Sequence, residues 1–357
     1  RCEIGPSIVV LMSGGVRRVT LAVRVVAAML LVASTLVWMP GSPVGAWSSD
    51  DGAGAVFGGT NNDYGRSVAV DSSGNVYTAG YFQGTADFDP GAGTTNLTSN
   101  SGPNVFVSKL DSSGNYVWAK NFGGTNDDYG QSVAVDSSGN VYTTGNFRDT
   151  VDFDPGSGTA NLTSNGPSDV FVSKLDSSGN YVWAKSFGGT NDDYGQSVAV
   201  DSSGNVYTTG DFRDTGDFDP GSGTANLTSN GGREVFVSKL DSSGNYVWAK
   251  NLGGTDDDIG YSVAVDSSGN VYTTGNFKST PGDFDPGSGT TNLTSNYVED
   301  VFISKLDSSG NYVWAKSFGG TNRDYGRSVA VDSSGNVYTT GYFNGTVDFD
   351  PGAGTVN

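Results

Sequence analysis

The sequence predicts an all-β fold: a β-propeller of four-stranded antiparallel blades, four complete and one truncated. Three observations predict it. The chain repeats itself from Phe57 onward, with Phe57, Phe122, Phe187, Leu252 and Phe318 opening equivalent Gly-Gly-Thr segments at spacings of 65, 65, 65 and 66 residues. Short alternating apolar runs are separated by Gly, Ser, Asn and Asp, the residue types of tight turns. Glu, Lys and Leu are too scarce for helices, while 18 Phe, 17 Tyr and 6 Trp can fill cores between sheets. A long fixed period is the mark of a propeller or solenoid.

The second unit shows how a blade is built. Gln131–Val135 alternates as a short strand, and Asp136-Ser137-Ser138-Gly139-Asn140 turns the chain into a second strand, Val141–Phe147. A long connection passes through Asp152-Phe153-Asp154-Pro155-Gly156 to a third strand, Val170–Leu175. The Asp-Ser-Ser-Gly-Asn turn then returns at Asp176, ahead of a fourth strand, Tyr181–Phe187. This pentamer occurs nine times, at Asp71, Asp111, Asp136, Asp176, Asp201, Asp241, Asp266, Asp307 and Asp332. Asp caps such a turn with its side chain and Gly supplies its positive φ, so a structural role is expected for these carboxylates. Trp118, Trp183, Trp248 and Trp314 recur in Val-Trp-Ala-Lys on fourth strands. One large ring per blade fits the wedge between blades better than it fits a sugar-stacking platform.

The blades are expected at 57–121, 122–186, 187–251, 252–317 and 318–357, the last one partial. Residues 47–56 form a linker or closing strand, since Ala53–Phe57 resembles the end of a fourth strand. Residues 1–46 read as an export signal with an upstream extension, Met12 being a candidate start. Arg17, Arg18 and Arg24 precede the uncharged run Val25–Met39, and Val44-Gly45-Ala46 places small residues ahead of a cut at Ala46/Trp47. The mature chain is therefore expected to be secreted or at the cell surface, with no membrane span and with more chain beyond residue 357.

Composition removes several chemistries. There is no His, and Cys2 is the sole cysteine, so Ser-His-Asp and Cys-His catalysis, His- or Cys-ligated zinc and an intrachain disulfide are all excluded. Without residues 1–46, 15 basic and 37 acidic side chains remain, a net charge of −22. Such a surface repels nucleic acid and anionic lipid.

The stretch Ser132–Gly145, Ser-Val-Ala-Val-Asp-Ser-Ser-Gly-Asn-Val-Tyr-Thr-Thr-Gly, resembles the SBBP-type β-propeller repeat of bacterial exported proteins. Asp169–Leu175 and the Gly-Gly-Thr-Asn-Asp-Asp-Tyr-Gly segment at 188–195 match the same family, and the resemblance recurs in every unit across 57–357. It implies a propeller scaffold and transfers no catalytic motif. The strand pattern is also distantly similar to NHL-type propeller repeats, some of which bind RNA, which the charge of the mature chain opposes.

Propeller topology puts the nine tight turns on one face and the long connections on the other. On the long-loop face recur five acidic pairs: Asp87 and Asp89, Asp152 and Asp154, Asp217 and Asp219, Asp283 and Asp285, Asp348 and Asp350. In an extended chain, residues two apart point to opposite sides. A bend at the following Pro-Gly would let them converge on Ca²⁺, which takes 6–8 oxygens. Calcium is thus the candidate cofactor, set against turn capping by the same carboxylates. Departures from the repeat are Arg233, Glu234, Tyr297, Glu299 and the Arg148/Arg213/Lys278 position, all in strand two-to-three connections. The expected function is a non-enzymatic binding or adhesion scaffold facing a glycan or surface protein. The alternatives are a structural spacer and a carboxylate-dependent glycan-active enzyme.

Overall fold

The computed structural model describes residues 8–14, 55–296 and 298–350. Every element among them is a β-strand. Four antiparallel units of four strands follow one another along the chain, with first strands Tyr64–Val70, Tyr129–Val135, Tyr194–Val200 and Ile259–Val265 and fourth strands ending at Phe122, Gly189, Leu252 and Phe318; the second is extended to six strands where Gly188 and Gly189 pair with Asp217 and Gly216. A fifth unit supplies two strands, Tyr325–Val331 and Val337–Phe343. The repeated four-stranded sheets expected from the period are present, as is a partial fifth. Each sheet begins seven residues after its Gly-Gly-Thr segment opens and ends at or just past the start of the next one, so the sheets are offset from the repeat boundaries.

The fifth sheet departs from the reading of the sequence. Ile8–Gly14 pairs in parallel along Val337–Phe343, where the other blades carry an antiparallel third strand. A strand edge presents unpaired N–H and C=O groups, and an extended apolar segment satisfies them from either direction. The export-signal reading did not anticipate this strand. Its apolar run Val25–Met39 and the Ala46/Trp47 cut lie outside the described residues. So do Ala53 and Gly54, which begin the expected closing strand, and Tyr297.

The turns form as their residues dictate. Asp136 Oδ1 accepts from the Ser138 and Asn140 amides, and its Oδ2 accepts from Asn140 Nδ2 and from Tyr142 Oη at 3.0 Å. Gly139 follows with φ +79°, a conformation open to glycine. Tyr77, Tyr142, Tyr207 and Tyr272 are fully buried, and each hydroxyl donates to the turn aspartate of its own blade.

Trp118, Trp183 and Trp248 lie between blades as expected, each buried, with Nε1 donating at 3.2 Å to the carbonyl of Ser177, Ser242 or Ser308 in the next blade's turn. Lys109, Lys174 and Lys239 reach the same carbonyls and cover the rings of Tyr77, Tyr142 and Tyr207. First strands run side by side: the Val133, Val198, Val263 and Val329 amides donate to Ser67, Ser132, Ser197 and Ser262 of the preceding blade. The inner row of the array is therefore made of first strands.

Candidate functional site

The long connections do not fold as open acidic loops. In blades one to four, each forms a miniature hairpin, as in Thr150–Asp152 with Asn161–Thr163. The phenylalanine between the paired aspartates turns inward. Phe88, Phe153, Phe218 and Phe284 are at most 1% exposed, and Phe153 meets Phe122, Phe147 and Phe171 at 5.2, 5.4 and 5.1 Å. Sequence reading missed this core position, because a lone Phe among Asp, Pro and Gly has no strand periodicity to mark it.

The aspartate pairs bracket that phenylalanine, and the structure gives their oxygens to backbone amides. Asp152 Oδ1 accepts from the amides of Asp154 (3.0 Å) and Ala160 (2.8 Å). Asp87, Asp217 and Asp283 each hold the two equivalent amides. The pairs read from sequence as calcium ligands or as turn caps, and in the structure Asp89 Oδ1 accepts from Gly91, Asp154 Oδ1 from Gly156, Asp219 Oδ1 from Gly221 and Asp285 Oδ1 from Gly287, at 2.8–2.9 Å. The physical reason is the buried phenylalanine: with its ring inward, the chain beyond it bends so that Asp89, Asp154, Asp219 and Asp285 cap their own Pro-Gly turns. Asp348 Oδ1 accepts from the amide of Asp350. Among the described residues, no group of three or more acidic, His or Cys side chains gathers where a metal ion could bind.

A second set of acids fastens blade to blade. Asp128, fully buried, accepts from the Gly124 amide (2.6 Å) and the Arg148 amide (3.0 Å), while its own amide donates to the carbonyl of Pro103 in the preceding blade. Asp193, Asp258 and Asp324 repeat these contacts. Burial outweighs these hydrogen bonds and pushes Asp128 up to about 6 and Asp193 to about 7. Glu234, which reads from sequence as a departure, opens its third strand as Asn104, Asp169 and Asp300 open theirs. Its oxygens accept from the Asn230 amide, Asn230 Nδ2 and Asn251 Nδ2, and burial raises it to about 7. Glu299 meets Arg323 Nε at 3.0 Å.

One position that differs from blade to blade sits at a β-bulge. In every first strand the register slips by one residue after the second position, leaving the third unpaired. Those five residues are Arg66, Gln131, Gln196, Tyr261 and Arg327. The glycine opposite each bulge makes room for it: a Cβ on Gly145 would stand 1.8 Å from the Tyr129 carbonyl oxygen. Bulges re-aim side chains and occur beside functional sites.

The bulge residues touch one another and the tyrosines next to them. Arg66 Nε donates to Gln131 Oε1 at 2.9 Å. Tyr81 lies 4.9 Å from Tyr64 and 4.8 Å from Tyr129. Arg327 Cζ sits 4.2 Å from the Tyr261 ring centroid, 5.3 Å from Tyr325 and 5.5 Å from Tyr342. In the middle blade, Asp211 is fully buried, with Arg233 Nη1 3.6 Å from its Oδ2 and the Gln196 side chain beside it. Neither Asp211 oxygen has a hydrogen bond of good geometry. Burial pushes Asp211 up to about 7, against the pull of Arg233. The Arg233 guanidinium in turn lies 5.3 Å from the Tyr194 ring.

At the other end of the inner row the blades are identical. Val-Ala-Val segments of the first strands line an open cavity of about 360 Å³.

The SBBP β-propeller repeat matches at residues 57–85, 117–146, 182–211, 247–279 and 313–347. An uncharacterised WD repeat-containing protein of Acanthamoeba polyphaga mimivirus is 29% identical over 199 residues, which are 49% of this chain and 14% of that protein. The regulatory protein FlaEY of Caulobacter vibrioides is 29% identical over 173 residues, 47% of this chain and 18% of that protein. The chain thus spans less than a fifth of the length of either relative. Among solved structures, a protein of unknown function from Bacteroides caccae overlaps 71% of this chain and 82% of its own at 11% identity and a TM-score of 0.31. The WD40 domain of Neurospora crassa Pan2 overlaps 78% and 79% at 10% identity and a TM-score of 0.35.

Proposed function

Because the chain carries five SBBP β-propeller repeats and belongs to that repeat family, we propose that it is a non-enzymatic binding scaffold, exported to the cell surface or beyond, that meets a glycan or surface protein with the bulge end of its inner row. One observation carries the reading. The bulge position changes its chemistry from blade to blade, Arg66, Gln131, Gln196, Tyr261 and Arg327, on strands that lie side by side. A spacer has no use for Arg, Gln and Tyr side chains gathered at one end of one row. Arg and Tyr are also the residue types enriched at binding hot spots.

The buried acids fill structural roles. Glu234 and the Asp128-type residues hold amides, and Asp211 faces Arg233. A pair of carboxylates flanking a cleft, as glycoside hydrolysis requires, is not formed by any of these. A glycan array probed with the full chain tests the proposal. Binding that Tyr261→Ala and Gln196→Ala weaken several-fold is expected. Binding that both variants leave unchanged would move the site elsewhere.

Calcium is tested separately. A melting shift in millimolar Ca²⁺ beyond that of NaCl at equal ionic strength, and reduced in Asp152→Asn with Asp154→Asn, would add an ion to the turn-capping role of the pairs. Equal curves leave those aspartates as turn caps alone.

A further inference from the structure

We infer that Arg327, with Tyr261, Tyr325 and Tyr342, forms an anchoring site for the carboxylate of an acidic saccharide, one containing uronic acid. The inference deepens the glycan-binding proposal and rests on it.

Four observations lead there. Arg327 is exposed, yet its guanidinium is held in place: Tyr261 stacks on it at 4.2 Å, and Nη2 donates to Tyr342 Oη at 3.5 Å. Tyr325 and Tyr342 stack on each other at 4.8 Å with their planes 28° apart, forming a wall beside it. Cation–π contact holds the guanidinium without neutralising it. Among the described residues Arg327 takes part in none of the salt bridges, which fall to Arg213, Arg233, Lys278 and Arg323. A bulge tyrosine followed by a bulge arginine also occurs once along the described row, since the preceding bulges carry Gln131 and Gln196.

The chemistry of the row then selects the ligand. Asp and Glu outnumber Lys and Arg by 38 to 19 in the chain, yet none of the five bulge residues is acidic. A positioned guanidinium fork matches the geometry of a carboxylate, forming two parallel N–H···O bonds. The exposed face of Tyr342 (40%) offers a sugar ring an apolar platform with a hydroxyl at its edge. Gln131 and Gln196 extend the row with neutral amides, donors and acceptors suited to sugar hydroxyls. An acidic peptide would use the same fork but would leave those amides and the ring platform without a matching partner.

Calorimetric titration of the full chain with oligogalacturonate, set against neutral oligogalactose, tests this. Oligogalacturonate is expected to bind at least tenfold more tightly, with the advantage shrinking as salt rises. Arg327→Gln places in this blade the residue that blades two and three already carry, so folding is retained, which the melting temperature checks. It is expected to abolish the preference, and Arg327→Lys, which keeps the charge but loses the fork, to restore only part of it. Equal binding of both saccharides, unaffected by Arg327→Gln, would overturn the anchoring site and leave glycan binding standing. Arg327-dependent binding of an acidic peptide with no saccharide bound would overturn the ligand class. Failure to bind either saccharide or the peptide would overturn the glycan proposal together with the inference.

Discussion

At the scale of single residues, the same side chain does opposite electrostatic work in different places. Burial works against ionisation at Asp136, yet hydrogen bonds from Asn140 and Tyr142 overcome it and hold the carboxyl below its ordinary value. At Asp193, Asp211 and Asp300 burial wins, and each rises to about 7. The two classes have opposite linkage to stability. A lowered carboxylate stabilises the fold above its unfolded pKa of about 4, and that contribution is lost as pH falls through the folded value. A raised one contributes fully below about pH 4, and its contribution is lost as pH climbs toward 7. Stability is therefore expected to peak on the acidic side of neutrality and to decline between about pH 5 and 7, which melting scans across pH will show. Asp211→Asn should melt higher than the parent at about pH 8, and the gap should narrow toward about pH 4. The substitution is tolerable because Asn146 and Asn276 occupy the same position in the flanking blades. A variant that tracks the parent at every pH would mean that Asp211 is fully compensated by Arg233.

At the scale of the element, the miniature hairpin is the part whose role the sequence concealed. Its register is short, three pairs in Thr150–Asp152 against Asn161–Thr163, and too small to stand alone. Phe153 fixes it to the blade, and Asp152 and Asp154 cap the turn around that anchor. Phe153→Ala is expected to cost about 3–5 kcal/mol, the range for a buried aromatic, whereas Asp154→Asn should cost about 1 kcal/mol or less, because an amide oxygen can still accept from Gly156. Urea unfolding of the two variants makes the comparison. Similar losses would show that the hairpin hangs on its caps and not on its anchor.

At the scale of the whole molecule, the ends of the array differ from its middle. Val68 is 44% exposed, while its counterparts Val133, Val198, Val263 and Val329 are at most 6% exposed, each lying beside a preceding blade. At the other end, Ile8–Gly14 covers the edge of Val337–Phe343. Removing residues 1–46, as export processing would, takes that strand away and uncovers the edge. Protein beginning at Trp47 is therefore expected to self-associate more strongly than the full chain, with the difference growing with concentration in sedimentation experiments. Equal monomer fractions would show that the parallel strand protects nothing.

The repeat period, the turn pentamer and the recurring tryptophan were legible from sequence because each is local or periodic. Asp-Ser-Ser-Gly-Asn encodes its own geometry within five residues, and 65-residue spacing repeats one sheet after another. Asp152 and Asp154 could be placed in a bend, but which amides their oxygens would hold depended on Phe153, whose destination lies among Phe122, Phe147 and Phe171 on other strands. The bulge row was hidden for a related reason. Arg66, Gln131, Gln196, Tyr261 and Arg327 look like drift when read one repeat apart, and become one surface only when the first strands lie side by side. Local hydrogen bonding and period are written in the chain itself, whereas a site assembled from one residue per blade exists only once the blades pack.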